Sequence, residues 1–392
     1  MEFHDEIFNT EFDEVGEFVT LPNSSLVELL AEASSVALPF HHRVIMSVFF
    51  ASIVVIGIPG NLLVVASVFL SKKLQTATNI LVVSLAMADF FTCNTLPYQM
   101  VMVLSHYNWP LPVNVCAAVV VVSYTTLCCS VLTLVSIAFV RWYVITKSIH
   151  GNQGLNTHRK TFIVAIVTWT FSSISMVVPP ALGYGTMGMS EQYRVCSLTD
   201  DNPKDFYYII FQGLIMVCSL FITAVFYVLI LRFVIVSAKK FKLQFGESSA
   251  DASGGKALST TVIDKKSGHS TFNQREIDIT KNLFTVVCIF VLCVLPHAVN
   301  FMIPGGGTST MYTGMILTAN SCLNPLIYGL KHPTFREVFR CILTWNLAEI
   351  QQPSRLLRRL TSTGLVRTPR QSKRTTATSV SVLTELTSHT GK

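Results

Sequence analysis

The sequence predicts an all-α membrane protein, a seven-transmembrane helix bundle with a short amphipathic cytosolic helix after the seventh span. Three observations carry that reading. Of 392 residues, 51% are hydrophobic and only 13% are charged, against about 25% charged in a soluble domain. The apolar residues gather into seven runs, each long enough to cross a bilayer. The basic residues crowd into alternate connections between those runs. The composition argues against a soluble enzyme, a disordered scaffold and a nucleic-acid-binding protein, despite a net charge of +7.

The first run, residues 46–70, holds 25 residues without a formal charge. About 20 residues, at roughly 1.5 Å each, cross a hydrocarbon core of about 30 Å. The later runs cover approximately residues 79–104, 113–140, 161–186, 206–231, 282–303 and 310–330. In lipid the backbone must satisfy its own polar groups, so each run is expected to be a helix. The ten Cys lie mostly inside these runs. They read as small apolar packers, not as a metal site or a dense disulfide framework.

Orientation follows from the connections. The first holds Lys72 and Lys73, the third Lys147, Arg159 and Lys160 beside Arg141, and the fifth Lys239, Lys240, Lys242, Lys256, Lys265, Lys266 and Arg275. Eleven more basic residues follow the seventh run, whereas the opposite connections hold only Arg194 and Lys204. The excess of Lys and Arg on one side predicts an extracellular N-terminus and a cytosolic C-terminus. Residues 1–44 form an acidic outer segment, with nine of the 22 acids in residues 1–32 and no Lys or Arg there. It has no visible cleavable signal, so the first span is expected to direct its own insertion. Asn23 opens an Asn-Ser-Ser glycosylation triplet on that outer side. Residues 45–345 make the membrane domain. Within it, residues 236–278 form a Ser-, Gly- and Lys-rich cytosolic loop flanked by helical extensions. Residues 346–392 are rich in Thr, Ser and Arg and are expected to be a disordered tail.

Asp89 sits in mid-span, where a carboxylate costs about 2.5–3.5 kcal/mol. It must therefore face the bundle interior and find partners. Asn61, Ser130, Asn320, Ser321 and Asn324 are the candidates. Together they form either an oxygen-rich pocket for a hard monovalent cation or a hydrogen-bonded polar plug. Spacing does not decide between these.

At this point the chain resembles the rhodopsin-like (class A) G-protein-coupled receptors over roughly residues 45–345. The resemblance rests on GNLLVV around Asn61, SLAMAD at Asp89, Trp109 before Cys116, Arg141 ending span three, and Trp169 in span four. Cys196, Tyr227, Phe290 with Cys293 and Pro296, and the Asn324-Pro325-Leu326-Ile327-Tyr328 run complete it. Subgroup texture is loosely similar to melatonin-receptor-like and orphan receptors. In the family, Asp89, Ser130, Asn320, Ser321 and Asn324 match the sodium-site positions, which favours a bound sodium ion and no other cofactor. Cys116 and Cys196, both on the oxidising side, are implied to pair.

The resemblance also implies an activation switch of Arg141, Glu276, Tyr227, Phe290, Pro296 and Tyr328. Three departures matter. Val140-Arg141-Trp142 lacks the acid that usually precedes the arginine. Val294 stands where a tryptophan is usual, and Ser219 where a proline is common. Pro296 still frees a backbone carbonyl and kinks span six. An Arg141–Glu276 contact near a wet surface contributes only about 0–1 kcal/mol. Glu276→Ala is therefore expected to raise ligand-free G-protein activation, measured as basal nucleotide exchange; an unchanged basal rate would remove Glu276 from the switch.

By register with the family, Gln99, Ser123, Tyr124, Leu127, Phe211, Gln212, His297, Phe301 and Thr318 line the ligand cavity. Ser123 replaces the aspartate of amine receptors, and Thr318 the retinal lysine of opsins. No Lys or Arg lies deep in the outer core, which argues against a carboxylate held deep in the site. The expected ligand is neutral or lipid-like, oriented by Gln99, Gln212 and His297. A peptide ligand would also suit the acidic N-terminus and the short outer loop PGGGTST. An ion transporter or channel is disfavoured because no second intramembrane charge continues a path from Asp89. An enzyme is disfavoured because no nucleophile–base pair or metal cluster lies within the spans.

After Tyr328, Phe335, Val338, Phe339, Ile342 and Leu343 recur at helical spacing, with Arg336 and Arg340 opposite. This predicts an amphipathic helix that meets membrane lipid. Cys341 near its end is a palmitoylation candidate. Thr361 follows two arginines in a basophilic-kinase pattern. Thr375, Thr376, Thr378 and Ser379 open a dense hydroxyl cluster. Phosphorylation by receptor kinases would add about −1.5 to −2 charges at each, enough to present an acidic tail to arrestin. The expected partners are thus a heterotrimeric G protein, arrestin, receptor kinases, an extracellular ligand and membrane lipid, but no nucleic acid. The expected location is the plasma membrane.

Overall fold

The computed structural model describes residues 39–105, 112–147, 157–190, 194–199, 202–250, 285–300 and 307–363. Asn23, Glu276, Phe301, Thr375, Thr376, Thr378 and Ser379 lie outside the described residues. The helices are α1 (Phe40–Leu70), α2 (Ala77–Leu104), α3 (Val113–Lys147), α4 (His158–Ala181) and α5 (Asp205–Ala250). They continue with α6 (Thr285–Asn300), α7 (Gly307–Lys331), α8 (Pro333–Leu343) and α9 (Arg355–Ser362). Strands β1 (Met187–Ser190) and β2 (Val195–Leu198) form one antiparallel hairpin between α4 and α5. Helices α1 to α5 are each long and apolar enough to cross a membrane.

The predicted runs become helices with shifted ends. Helix α1 begins at Phe40, which draws His41, His42 and Arg43 into the first helix. The fourth run ends at Ala181, where Gly183 and Gly185 take positive φ angles of 82° and 98° and turn the chain into the hairpin. Helix α5 runs on to Ala250, past the end of the fifth apolar run.

Large apolar side chains on the outer faces of α1, α4 and α5 are exposed, among them Val55, Phe162, Val167, Tyr207 and Phe221. Hydrocarbon, not water, is the solvent such faces suit. The interior core joins α2, α3, α6 and α7 through Leu81, Leu85, Leu134, Phe290, Val294 and Ile327. Phe290 and Val294 are both fully buried there.

Helix α1 packs closely because two glycines leave room. A Cβ on Gly57 would lie 2.4 Å from Cys93 Sγ, and one on Gly60 would lie 2.9 Å from Pro325 Cβ. Gly57→Val is expected to push α1 away from α2 and cost about 1–3 kcal/mol. A lowered thermal unfolding midpoint in detergent checks it; an unshifted midpoint would mean that α1 slides without penalty.

Helix α8 starts on a His332 N-cap, whose ring nitrogen accepts from Phe335 N at 3.4 Å, with Pro333 in its first turn. The chain then reverses at Trp345, which adopts a left-handed φ of 55°.

Here the expectation of disorder from residue 346 is corrected. Residues Leu347–Glu349 form a 3-10 turn, and α9 follows with Ser354 as its N-cap. Ile350 and Leu357 are buried with Leu74, Val338, Phe339 and Cys341. The backbone between α1 and α2 clamps the segment: Lys72 N donates to Gln352 O at 2.8 Å, and Ser354 N donates to Leu70 O at 2.9 Å. Two apolar anchors and two backbone hydrogen bonds order a stretch whose composition is that of a loop.

Candidate functional site

The centre of the bundle is a chain of buried polar groups. Asp89 on α2 is fully buried. Its Oδ1 accepts from Ser130 Oγ on α3, and its Oδ2 accepts from Asn324 Nδ2 on α7, both at 2.9 Å. Asn61 on α1 donates through Nδ2 to Gly57 O and to Ser321 O, each at 2.9 Å. Asn324 also donates to Asn320 O at 3.3 Å. Four helices are thus tied through buried polar side chains.

Two oxygens of this network, Asn61 Oδ1 and Ser321 Oγ, are buried without a completed hydrogen bond. A buried acceptor left unsatisfied costs about 1–3 kcal/mol. A carboxylate surrounded by hydroxyl and amide oxygens is the donor set of a hard cation, so the residues present fit sodium. Among the described residues, no group of three His, Cys, Asp or Glu side chains would suit a transition metal.

A cavity opens at the end of the bundle beside α8. Arg141 of α3, Tyr227 of α5, Val286 and Val287 of α6, and Tyr328 of α7 line it, with Phe335 of α8. Pro296 lies within α6, between Val294 and Ala298 of the core cluster. The structure therefore brings Arg141, Tyr227 and Tyr328 to one wall.

At the other end of the bundle, Cys116 at the start of α3 is bonded to Cys196 in β2, as the resemblance implied. This bond and Gln99 hold the hairpin across the mouth. Gln99 Nε2 donates to Cys196 O at 2.9 Å, and Cys196 N donates to Gln99 Oε1 at 2.8 Å. Tyr124 OH lies 3.0 Å from Ser197 Oγ, and Ser123 Oγ donates to Thr95 Oγ1 at 2.8 Å. Gln212 Nε2 reaches Met176 Sδ of α4 at 2.6 Å, and His297 Nδ1 is 3.2 Å from Thr313 Oγ1 of α7. Thr318 Oγ1 turns back to Met315 O at 2.8 Å. Leu127 packs on the main core, and Phe211 is 39% exposed. Gln99 and Tyr124 meet β2, whereas Ser123, Gln212 and His297 engage separate neighbours.

Sequence reasoning missed Tyr208. Tyr208 is fully buried and donates to Met176 O at 3.3 Å; nothing in its apolar run singles it out. At the opposite end, Cys341 is buried. That burial, with Glu349 and Glu337 nearby, pushes its thiol up from the ordinary cysteine range.

A helix bundle with apolar outer faces, a disulfide-tethered hairpin at one end and a cavity at the other defines a polytopic membrane protein. The chain belongs to the 7 transmembrane receptor (rhodopsin family), which it matches over residues 60–328. Among solved structures it is similar to the crystal structure of squid rhodopsin, with a TM-score of 0.63 and 19% identity over 85% of this chain and 94% of that one. That likeness shows the fold. Membership of the family makes the chain a multi-pass plasma-membrane receptor that signals through G proteins, and not an enzyme.

Proposed function

We propose that the receptor transmits an extracellular neutral or lipid-like signal to a heterotrimeric G protein by outward movement of α6. One observation carries the reading: the Asp89 network joins α1, α2, α3 and α7 directly above the cavity that Arg141 lines. Asp89, Ser130, Asn61, Ser321 and Asn324 would hold a sodium ion, which would satisfy the two orphaned oxygens. When bound, it supplies a fixed positive charge to the carboxylate. The ligand acts through its differential affinity for the closed and open bundles, and Pro296 gives α6 its hinge.

The N-terminus lies outside and carries a glycan on Asn23. Thr361, Thr375, Thr376, Thr378 and Ser379 receive phosphate from receptor kinases and recruit arrestin. Palmitoylation of Cys341 would require α9 to lift, because the thiol is covered by the segment that contains Ile350 and Leu357.

The test is nucleotide exchange on a panel of Gα subunits by the reconstituted receptor, in sodium and in an organic-cation buffer. Sodium is expected to lower basal exchange by about fivefold or more, a coupling near 1 kcal/mol. Asp89→Asn should abolish that difference. Sodium sensitivity that survives in the variant would show that the network is a plug only, and no exchange on any Gα would defeat the signalling reading.

A further inference from the structure

The apolar face of α8 is covered by the chain itself. Phe335, Val338, Phe339 and Cys341 are buried. After α8 the backbone reverses, and Asn346 N donates to Cys341 O at 2.9 Å. The turn Leu347–Glu349 then packs on α8, and α9 packs on α1. Ile350 and Leu357 enter the cluster that holds Val338, Phe339 and Cys341. An amphipathic helix of this kind ordinarily lays such a face on lipid. Here residues 346–363 take the place of lipid, and they close over a thiol.

The seat rests on two apolar anchors and the two backbone hydrogen bonds from Lys72 to Gln352 and from Ser354 to Leu70. Helix α9 has only eight residues, too few for a helix to persist alone in water. Two features oppose the docked state. Trp345 is held in a left-handed conformation, φ 55°, an outlier for a bulky residue. Asn346 Oδ1 is buried without a hydrogen bond, which a polar oxygen resists. Both are released when the segment lifts.

Helix α9 also fits a second surface. Arg355, Arg358 and Arg359 share one helical face, and Leu356, Leu357 and Leu360 the other. The helix carries no acid, and all three arginines are exposed. Docking buries only one of the three leucines: Leu356 is 47% exposed and Leu360 is half-buried. A basic amphipathic helix with its apolar face partly open suits a bilayer that bears anionic lipid. Leu343 and Trp345, in the turn that leads to α9, are largely exposed, as suits side chains at a membrane interface.

We propose that residues 346–363 are a strap that gates Cys341, and that a bilayer surface bearing anionic lipid draws the strap off. This gate rests on the palmitoylation of Cys341 proposed above and supplies its control. The thiolate is the attacking form. Burial, with Glu349 and Glu337 nearby, holds the docked thiol above the ordinary cysteine range. With the strap lifted, Cys341 gives its proton to solvent and its sulfur attacks the carbonyl of a long-chain acyl thioester. A new thioester forms at Cys341, and the carrier leaves as a thiolate that takes up a proton.

The experiment uses the full chain in nanodiscs of phosphatidylcholine, with or without phosphatidylserine. N-ethylmaleimide modifies accessible thiols, and its rate at Cys341 is read by mass spectrometry of that peptide. Hydrogen exchange at the Lys72 amide, which Gln352 O holds in the docked state, reports the strap independently. In phosphatidylcholine alone, Leu357→Asp is expected to speed the reaction at Cys341 by about tenfold or more, because the new charge cannot stay buried. Ile350→Ser should act alike and serves where the first variant fails to fold. Phosphatidylserine should speed the wild-type reaction by about tenfold and remove the protection of Lys72. Replacing Arg355, Arg358 and Arg359 by Gln should abolish that gain and leave the rate in phosphatidylcholine unchanged. An unchanged rate in both Leu357→Asp and Ile350→Ser overturns the gate. A wild type indifferent to phosphatidylserine overturns the partner, as does a gain that survives in the arginine variant or that soluble polyglutamate reproduces. No G protein or acyl donor is present, so a receptor that never couples, or a Cys341 that is never acylated in cells, would leave these rates standing.

Discussion

Arg141→Ala is expected to lower ligand-driven nucleotide exchange by about 10- to 100-fold while leaving the folded receptor intact. Among the described residues, Arg141 is the only Lys or Arg on the wall of the cavity beside α8. It stands with Tyr227 and Tyr328, both buried aromatic residues with one polar tip each. A hydrogen bond to a charged donor contributes about 1.5–3 kcal/mol, and the alanine would remove those that Arg141 makes to an entering G-protein helix. Arg141→Lys should recover part of the activity, since it restores charge without the planar fork. The measurement is exchange at saturating receptor, with the unfolding midpoint as control. Full activity in a well-folded Arg141→Ala receptor would separate the cavity from coupling.

Cys116→Ser should lower stability by about 2–5 kcal/mol, the range for loss of a disulfide that closes a long loop. The bond joins residues 80 apart in sequence. Its loss would also free β2 from the top of α3, where Gln99 makes two hydrogen bonds to the Cys196 backbone. Ligand response is expected to fall with stability, because Gln99, Tyr124 and the hairpin form one wall of the mouth. Cys196→Ser should behave alike, and the double variant should be no worse than either single one, since both remove the same bond. Additive losses in the unfolding midpoint would show that the two thiols act separately.

The membrane spans were readable because lipid leaves few choices. A run of twenty or so apolar residues has to be a helix, and the Lys and Arg bias orients it. Asp89 was legible for the same reason, since a mid-span carboxylate has to be satisfied, and its partners Ser130 and Asn324 were among the few polar residues facing it. The β1–β2 hairpin was not legible. Met187–Ser190 and Val195–Leu198 are four residues each, too short for a periodic signal, and they pair because the disulfide and Gln99 hold them over the bundle. The α9 segment was hidden by its composition. Only the backbone bonds from Leu70 and Lys72 reveal why Ile350 and Leu357 are buried.

By itself the sequence determined the class of protein, the seven helices and the polar positions inside them, because hydrophobic period and membrane thickness act locally along the chain. The tertiary structure alone decided which polar groups meet. It used Gln99 to hold a hairpin, left Asn61 Oδ1 and Ser321 Oγ as open oxygens, and set Lys72 N against Gln352 O. Those pairings depend on how helices far apart in sequence pack against one another, and no local pattern encodes that distance.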